Sequence, residues 1–382
     1  MQDDEFAAVR SAVRDFIAAE VMPREAEIEE RDEVPADIRA KAAAMGLFGY
    51  TLPEEYGGMA ATVLQDVQLA IEFGYTSLAF RSMFGTNNGI AGQVLVNYGS
   101  PEQQQAWLPR LAQGAVASFA LTEAEAGSDP SGMRTRAAET GDGWYEISGT
   151  KRFITNAAIA DLFMVFARTA DAPSPGSTAG ISCFLVEAGS AGLTVGPKDV
   201  KTGQAGAWTS ELFLDRVRVP GGSIVGDAGA GFAAAMRSLS KGRLHIAGLC
   251  VGSAQRLLDE SVRHAAATRQ GGRPIGEFQL VQAMLAEMKT GLEAGRALVL
   301  AAAARYDSGE DTKIGPSTAK LFCAEMVCRS ADQAVQIHGG MGYMRGTTVE
   351  RIARDVRVMR IYEGTSEVQK LIIGRALLRD AR

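Results

Sequence analysis

The sequence predicts an α+β multidomain chain, with an N-terminal all-α domain, a middle antiparallel β-sheet or small barrel, and a C-terminal helical domain. Apolar residues recur at helical spacing in the first and last thirds, whereas the middle third turns to short β-prone runs broken by Gly, Pro and Ser. At 382 residues, 46 % of them hydrophobic, the chain is long enough to bury a large core split among two or three regions.

In residues 1–115, Phe6, Val9, Val13 and Phe16 fall at i, i+3, i+7 and i+10, which predicts helices interrupted by "LPEEYGG" at 52–58. Residues 116–226 hold "WYEISG", "DLFMVFART", "ISCFLVEA", "GLTVG" and "ELFLDRVRVP", each short enough for a strand, with turn formers between them. Residues 227–382 return to helices. Val281, Leu285, Met288 and Leu292 mark one, and another opens near Pro316 and stops at Gly339-Gly340.

The net charge of −6 gives no broad attraction to nucleic acid or to an anionic membrane, which directs attention to a small-molecule partner. The start lacks the pattern of a signal peptide and no window is long and apolar enough for a span, so a cytoplasmic location is expected. Four cysteines without a CxxC pair and three scattered histidines, His245, His264 and His338, indicate neither a disulfide framework nor a zinc site.

Several short motifs could carry chemistry. Gly229-x-Gly231-x-x-Ala234 matches a dinucleotide fingerprint only superficially, because no βαβ unit surrounds it; it is expected to be a loop entering a helix. "LTEAEAGSDPSG" at 121–132 reads either as a surface loop or as a segment presenting hydroxyls to an uncharged heterocycle. In "KRFITN", Phe153 and Thr155 share one side of an extended segment, suiting either a core or a flat cofactor. "QIHGGMGY" allows close backbone approach to a ligand or a plain helix end. In "RIYEGTSEVQK", Ser366 with Gln369 reads as a capping box, leaving Glu363 in the loop before a helix, where a dipole would favour an anion.

Taken in order with "RQGGRPIGEFQ", these motifs resemble the acyl-CoA dehydrogenase family over essentially the whole chain. The resemblance implies a flavoprotein whose C-terminal domain is a four-helix bundle, usually assembled as a homotetramer of paired dimers. It implies FAD bound by Phe119, Leu121, Thr122, Gly127 and Ser128, with Phe153, Ile154 and Thr155 as the stacking triplet. Arg269, Gln279, Gln336, Gly339 and Gly340 match positions that meet the adenosine and pyrophosphate across a dimer interface, and Thr365 and Ser366 a further flavin contact. Ser128, Ser240, Arg243 and Gly364 match substrate positions, with Ser240 standing where an acidic residue is usual.

Glu363 matches the family's general base. Some branches carry the base just before the arginine of the first bundle helix instead, and here that position is Gly242. The implied reaction removes the α-proton of an acyl-CoA thioester to Glu363 while the β-hydride leaves to flavin N5, giving a trans-2-enoyl-CoA and passing electrons to an electron-transfer flavoprotein. Rival outcomes on the same fold are an enoyl-CoA reductase, an oxidase, a desulfinase, or a DNA-associated protein using Arg345, Arg351, Arg354, Arg357 and Arg360. Acyl-chain selection is expected from residues 80–98 and 237–245.

Overall fold

In the computed structural model of the protein, residues 1–380 are described, so the last two residues of the expected 227–382 domain lie outside the described residues. Helix α1 (Asp3–Phe16) places three acidic residues in its first turn, where the dipole favours them, and buries Phe6 and Val13. It runs through a π turn and a 3₁₀ turn into α2 (Glu25–Arg31), which ends at Asp32 in the left-handed region. After α3 (Ala36–Ala44), Thr62 and Gln65 form a capping box that opens α4 (Val63–Phe73).

Helix α5 (Leu78–Gly89) is buried on nearly every side, so it forms the centre of this domain rather than a face of it. Phe73 and Phe84 meet edge-on with ring centroids 5.2 Å apart. Helices α6 (Ala91–Tyr98) and α7 (Pro101–Ala112) complete the unit, the second opened by Ser100 and Pro101.

Seven strands follow: β1 (Ala117–Ala120), β2 (Arg136–Glu139), β3 (Trp144–Thr155), β4 (Leu162–Arg168), β5 (Ile181–Glu187), β6 (Leu193–Lys198) and β7 (Thr209–Pro220). They form one sheet in the order β1-β4-β2-β3-β7-β6, with β5 also on β4. The expected antiparallel pairing holds along β3–β7 and β4–β5, whereas β1 and β2 lie parallel to β4. The β1–β4 exception is possible because β2 and β3 intervene in the chain and allow a crossover.

The C-terminal part is built on α8 (Gly231–Ala267), a tight β8–β9 hairpin (Arg269–Gln270, Arg273–Pro274), α9 (Gln279–Asp307) and α10 (Ile314–His338). Helices α11 (Gly340–Tyr343), α12 (Thr348–Val356) and α13 (Ser366–Asp380) end it. The first three long helices pack on one another, and α13 packs on α10. Glycine is required where α8 crosses the N-terminal domain: a Cβ on Gly252 would lie 2.1 Å from the Ile71 carbonyl oxygen.

The N- and C-terminal helical parts are also tied by buried charge. The Glu25 carboxylate on α2 forms an ion pair with Arg351 of α12 at 2.8 Å and accepts hydrogen bonds from Arg256 of α8 at 3.4 Å and from the Thr76 hydroxyl at 2.8 Å. Asp355, one turn beyond Arg351, is pushed up to about 6 by burial, partly offset by Arg351 and the Gln204 backbone N–H. Glu25→Leu would leave two buried guanidinium groups without their shared anion. We expect a loss of about 3–5 kcal/mol in denaturant unfolding; a loss below about 1 kcal/mol would show that the cluster is not a structural clasp.

Candidate active site

Glu363 sits in the loop between α12 and α13 with φ +56°, a left-handed conformation that few non-glycine residues adopt, followed by Gly364 at +90°. Two buried cations hold this loop by its backbone. Lys320 of α10, fully buried, donates to the Gly364 carbonyl at 2.7 Å, and Arg243 of α8 donates to the Glu363 carbonyl at 3.3 Å. Gln369 Nε2 reaches back to both carbonyls, at 3.2 and 3.0 Å.

The cap of α13 differs from the sequence expectation. Thr365, not Ser366, caps the helix: its hydroxyl accepts from the Val368 N–H at 3.2 Å, and its carbonyl accepts from Gln369 N. The Ser366 hydroxyl is drawn instead to Glu325 at 2.8 Å, and Gln369 is spent on the Glu363–Gly364 turn.

While the Glu363 residue as a whole is half-buried, its Oε2 is sealed from solvent and has no hydrogen-bond partner. That oxygen rests against α8, where a Cβ at Gly242 would come within 2.5 Å of it. The space over Gly242 is thus the space that the Glu363 carboxylate fills, and glycine at 242 leaves it free for that carboxylate. Burial pushes the Glu363 carboxyl up from its ordinary value, opposed by Arg81, Arg243 and Lys320 in that order. Burial also lowers Lys320, to about 8.

The flavin-type motifs form a second group, on the sheet. Phe153 has φ +57° at a register shift of β3 against β7, and it is 60 % exposed. Ile154 is buried, Phe153 exposed and Thr155 half-buried, and the register shift with the left-handed turn at Phe153 interrupts the period-two alternation expected for this segment.

The 121–128 segment is fastened to this strand. Arg152 N donates to the Thr122 carbonyl at 2.9 Å. Beneath it, fully buried Lys151 donates to the Leu121 carbonyl at 3.3 Å and to Glu123 at 2.8 Å. Leu121 is buried and half-buried Phe119 packs on the same core, its ring 4.8 Å from that of Phe166. Gly127 and Ser128 are exposed, and nothing lies within 4 Å of a Cβ on Gly127.

Gln279, Arg269, Gln336, Gly339 and Gly340 form a third, exposed group. The rings of His264 and His338 stack with centroids 4.1 Å apart, pinning the end of α8, just before Arg269, to the end of α10, just before the glycines. Beside them Met341, Tyr343 and Met344 are exposed, and the Cβ positions of Gly339 and Gly340 are open. The exposed apolar side chains and open glycine pair suit the extended part of a cofactor such as FAD, and the exposed Phe153 on β3 suits its flat ring.

Ser240, by contrast, is 9 % exposed and spends its hydroxyl on the Met236 carbonyl at 3.2 Å. Sequence reasoning passed over Arg81, Asp66 and Lys320, although a lone cation in "LAFRSMFG" or "STAKLFCA" is the available signal.

Three family models match the chain: Acyl-CoA dehydrogenase, N-terminal domain over residues 3–115, the middle domain over 118–217 and the C-terminal domain over 229–378. The chain is 39 % identical to a 3-(aryl)acrylate reductase of Clostridium sporogenes, covering 97 % of this chain and 98 % of that one. It is 39 % identical to an acyl-CoA dehydrogenase of Bacillus subtilis, covering 97 % of each. It is 37 % identical to the caffeyl-CoA reductase-Etf complex subunit CarC of Acetobacterium woodii, also covering 97 % of each. The solved butyryl-CoA dehydrogenase of Megasphaera elsdenii superposes with a TM-score of 0.94 at 32 % identity, covering 99 % of both chains.

Gly242→Ala pushes a methyl group into the Glu363 carboxylate. We expect purified G242A to keep its bound flavin but to lose about 10²-fold in turnover; unchanged turnover would contradict the contact.

Proposed function

The chain belongs to the acyl-CoA dehydrogenase family, and from that premise we propose that it removes the α-proton of an acyl-CoA thioester with Glu363 to form a trans-2-enoyl-CoA. It is an oxidoreductase, and FAD is the family's cofactor. When bound, FAD supplies the acceptor for the β-hydride. The observation that carries the reading is the sealed, unpartnered Oε2 of Glu363 resting against Gly242, since a catalytic role is one explanation for a buried polar atom left without a partner.

The chain's own groups divide the work. Gly242 leaves room for the carboxylate, Lys320 and Arg243 hold the loop by its carbonyls, and the three cations keep the buried acid ionisable. The Gly364 backbone lies next to the base and is assigned to the thioester, with Ser128, Ser240 and Arg243 along the coenzyme A portion. Thr122, Phe153, Ile154 and Thr155 are assigned to the flavin ring, with Phe119, Leu121, Gly127, Ser128, Thr365 and Ser366 around it. The exposed group at Arg269, Gln279, Gln336, Gly339 and Gly340 is assigned to the adenosine and pyrophosphate of a second copy, which makes the unit at least a dimer and by family habit a homotetramer.

Domain limits at 1–115, 116–226 and 227–382, a cytoplasmic site and electron transfer to an electron-transfer flavoprotein in fatty-acid β-oxidation belong to the same proposal. The relative named for an Etf complex supports the last partner. No helix among the described residues is long and apolar enough to cross a membrane. A DNA-binding use of the arginine run is disfavoured, because Arg351, Arg354 and Arg360 are engaged by Glu25, Glu29 and Glu325.

A second reading is the reverse reaction, reduction of an enoyl-CoA. The raised Glu363 favours it, since an acid that keeps its proton closer to neutrality can also deliver it to the α-carbon, and two of the relatives are named as reductases.

An acyl-CoA added without oxygen should bleach the yellow wild-type enzyme, and Glu363→Gln should retain FAD yet stay yellow; bleaching of E363Q at the wild-type rate would sink the assignment. Because the required carboxylate is lost as pH falls through a raised value, kcat/KM should drop on the acid side above the ordinary glutamic acid range near 4.5. An acid limb at or below that range would contradict the burial effect.

A further inference from the structure

Gly242 and His245 lie three residues apart on α8 and so share a face: the Glu363 carboxylate rests against Gly242 and Arg81 of α5 meets His245, which brings Arg81 to the same side of the helix as the carboxyl without a hydrogen bond between them. Arg81 is fixed from its other side. Its Nε–H donates to His245 Nε2 of α8 at 2.7 Å, and His245 Nδ1 meets Asp66 Oδ1 of α4 at 2.8 Å. The same Asp66 oxygen accepts from the Tyr50 hydroxyl at 2.6 Å. Asp66 and His245 are almost wholly buried, at 0 % and 1 % exposure. One turn beyond Arg81, a Cβ on Gly85 would lie 2.6 Å from Arg81 Nε, so glycine there keeps open the groove in which the side chain lies.

We propose that His245 is a positioning residue for the base: clamped by Asp66, its neutral imidazole holds the Arg81 guanidinium on the face of α8 against which the Glu363 carboxylate rests. This rests on the reading of Glu363 as the base. Donation from Arg81 requires a free lone pair on Nε2, which assigns the proton to Nδ1 and directs it at Asp66. Burial, with Arg81 and Lys241 adding to it and Asp66 opposing, keeps the imidazole below its ordinary value, in line with that tautomer. The charged groups around the pair are Asp66 of α4, Arg81 of α5 and Lys241 of α8; those around the carboxyl are Arg81, Arg243 and Lys320. An imidazole that lost its acceptor would release a long, flexible side chain, and with it one of the positive charges that oppose the burial of the base.

The test is the protonation of Glu363 itself in the resting holoenzyme, followed by infrared difference spectroscopy against pH, with E363Q identifying the carboxyl band. Loss of a nearby cation disfavours the carboxylate, so in His245→Phe the midpoint should move to higher pH by about 1 unit. Arg81→Met should give the same move, and the double variant no more than either. His245→Gln, which retains an acceptor, should return the midpoint towards wild type. Gly85→Ala, which crowds Arg81 without touching His245, should reproduce the upward move if the phenylalanine variant fails to fold. A wild-type midpoint in H245F or G85A while R81M shifts overturns the proposal, as does an additive double variant or an R81M midpoint that does not move. Because the spectrum needs no turnover, a base assignment that fails appears separately, as E363Q that still bleaches with substrate.

Discussion

A carboxylate oxygen taken out of water without a hydrogen-bond donor is costly, and the fold tolerates one at Glu363 Oε2. The two cations that bond its loop do not quench it. Lys320 and Arg243 bond the carbonyls of Gly364 and Glu363, so they fix the loop and lend positive potential while leaving the carboxylate oxygens unspent. A direct ion pair would have been more stable and less useful, because the carboxylate would then prefer its cation to a substrate proton. The left-handed backbone at Glu363 and Gly364 is part of the same arrangement, strain held in place by Gln369 and the two cations.

That constraint explains why three separate regions of the chain must be fitted tightly. The Glu363 carboxylate comes from the loop before α13, its room from Gly242 on α8, and one of the cations opposing its burial, Arg81, from α5 in the N-terminal helical part. Glycines at 248 and 252 allow α8 to lie close to α4, which carries Asp66. The Glu25 cluster closes the same contact further along, between α2, α8 and α12. Placement of the carboxylate is thus a property of domain packing rather than of the loop alone.

What could be seen from sequence follows the range of the forces concerned. Helices and strands were legible because amphipathic spacing is local, and the helix-to-sheet change near residue 116 shows in composition. Parallel pairing of β1 with β4 was not legible, since pairing depends on which distant strands meet. The cap shifted from Ser366 to Thr365 because Glu325, forty-one residues away, competes for the serine hydroxyl. Glu363 could be named from its motif, but its sealed oxygen, its contact with Gly242 and the chain from Asp66 through His245 to Arg81 join residues up to hundreds of positions apart. No spacing rule reports such contacts, and a lone charge in an apolar helix is the only trace they leave.

The central claim is that one carboxylate, Glu363, handles the α-proton. It is tested most directly by exchange: a saturated acyl-CoA held with the holoenzyme in D₂O under anaerobic conditions, its α-hydrogens followed by mass spectrometry. The account predicts deuterium entering the α-position with the wild-type enzyme and no incorporation above background with Glu363→Gln of equal FAD content. Equal incorporation by the two proteins would contradict it.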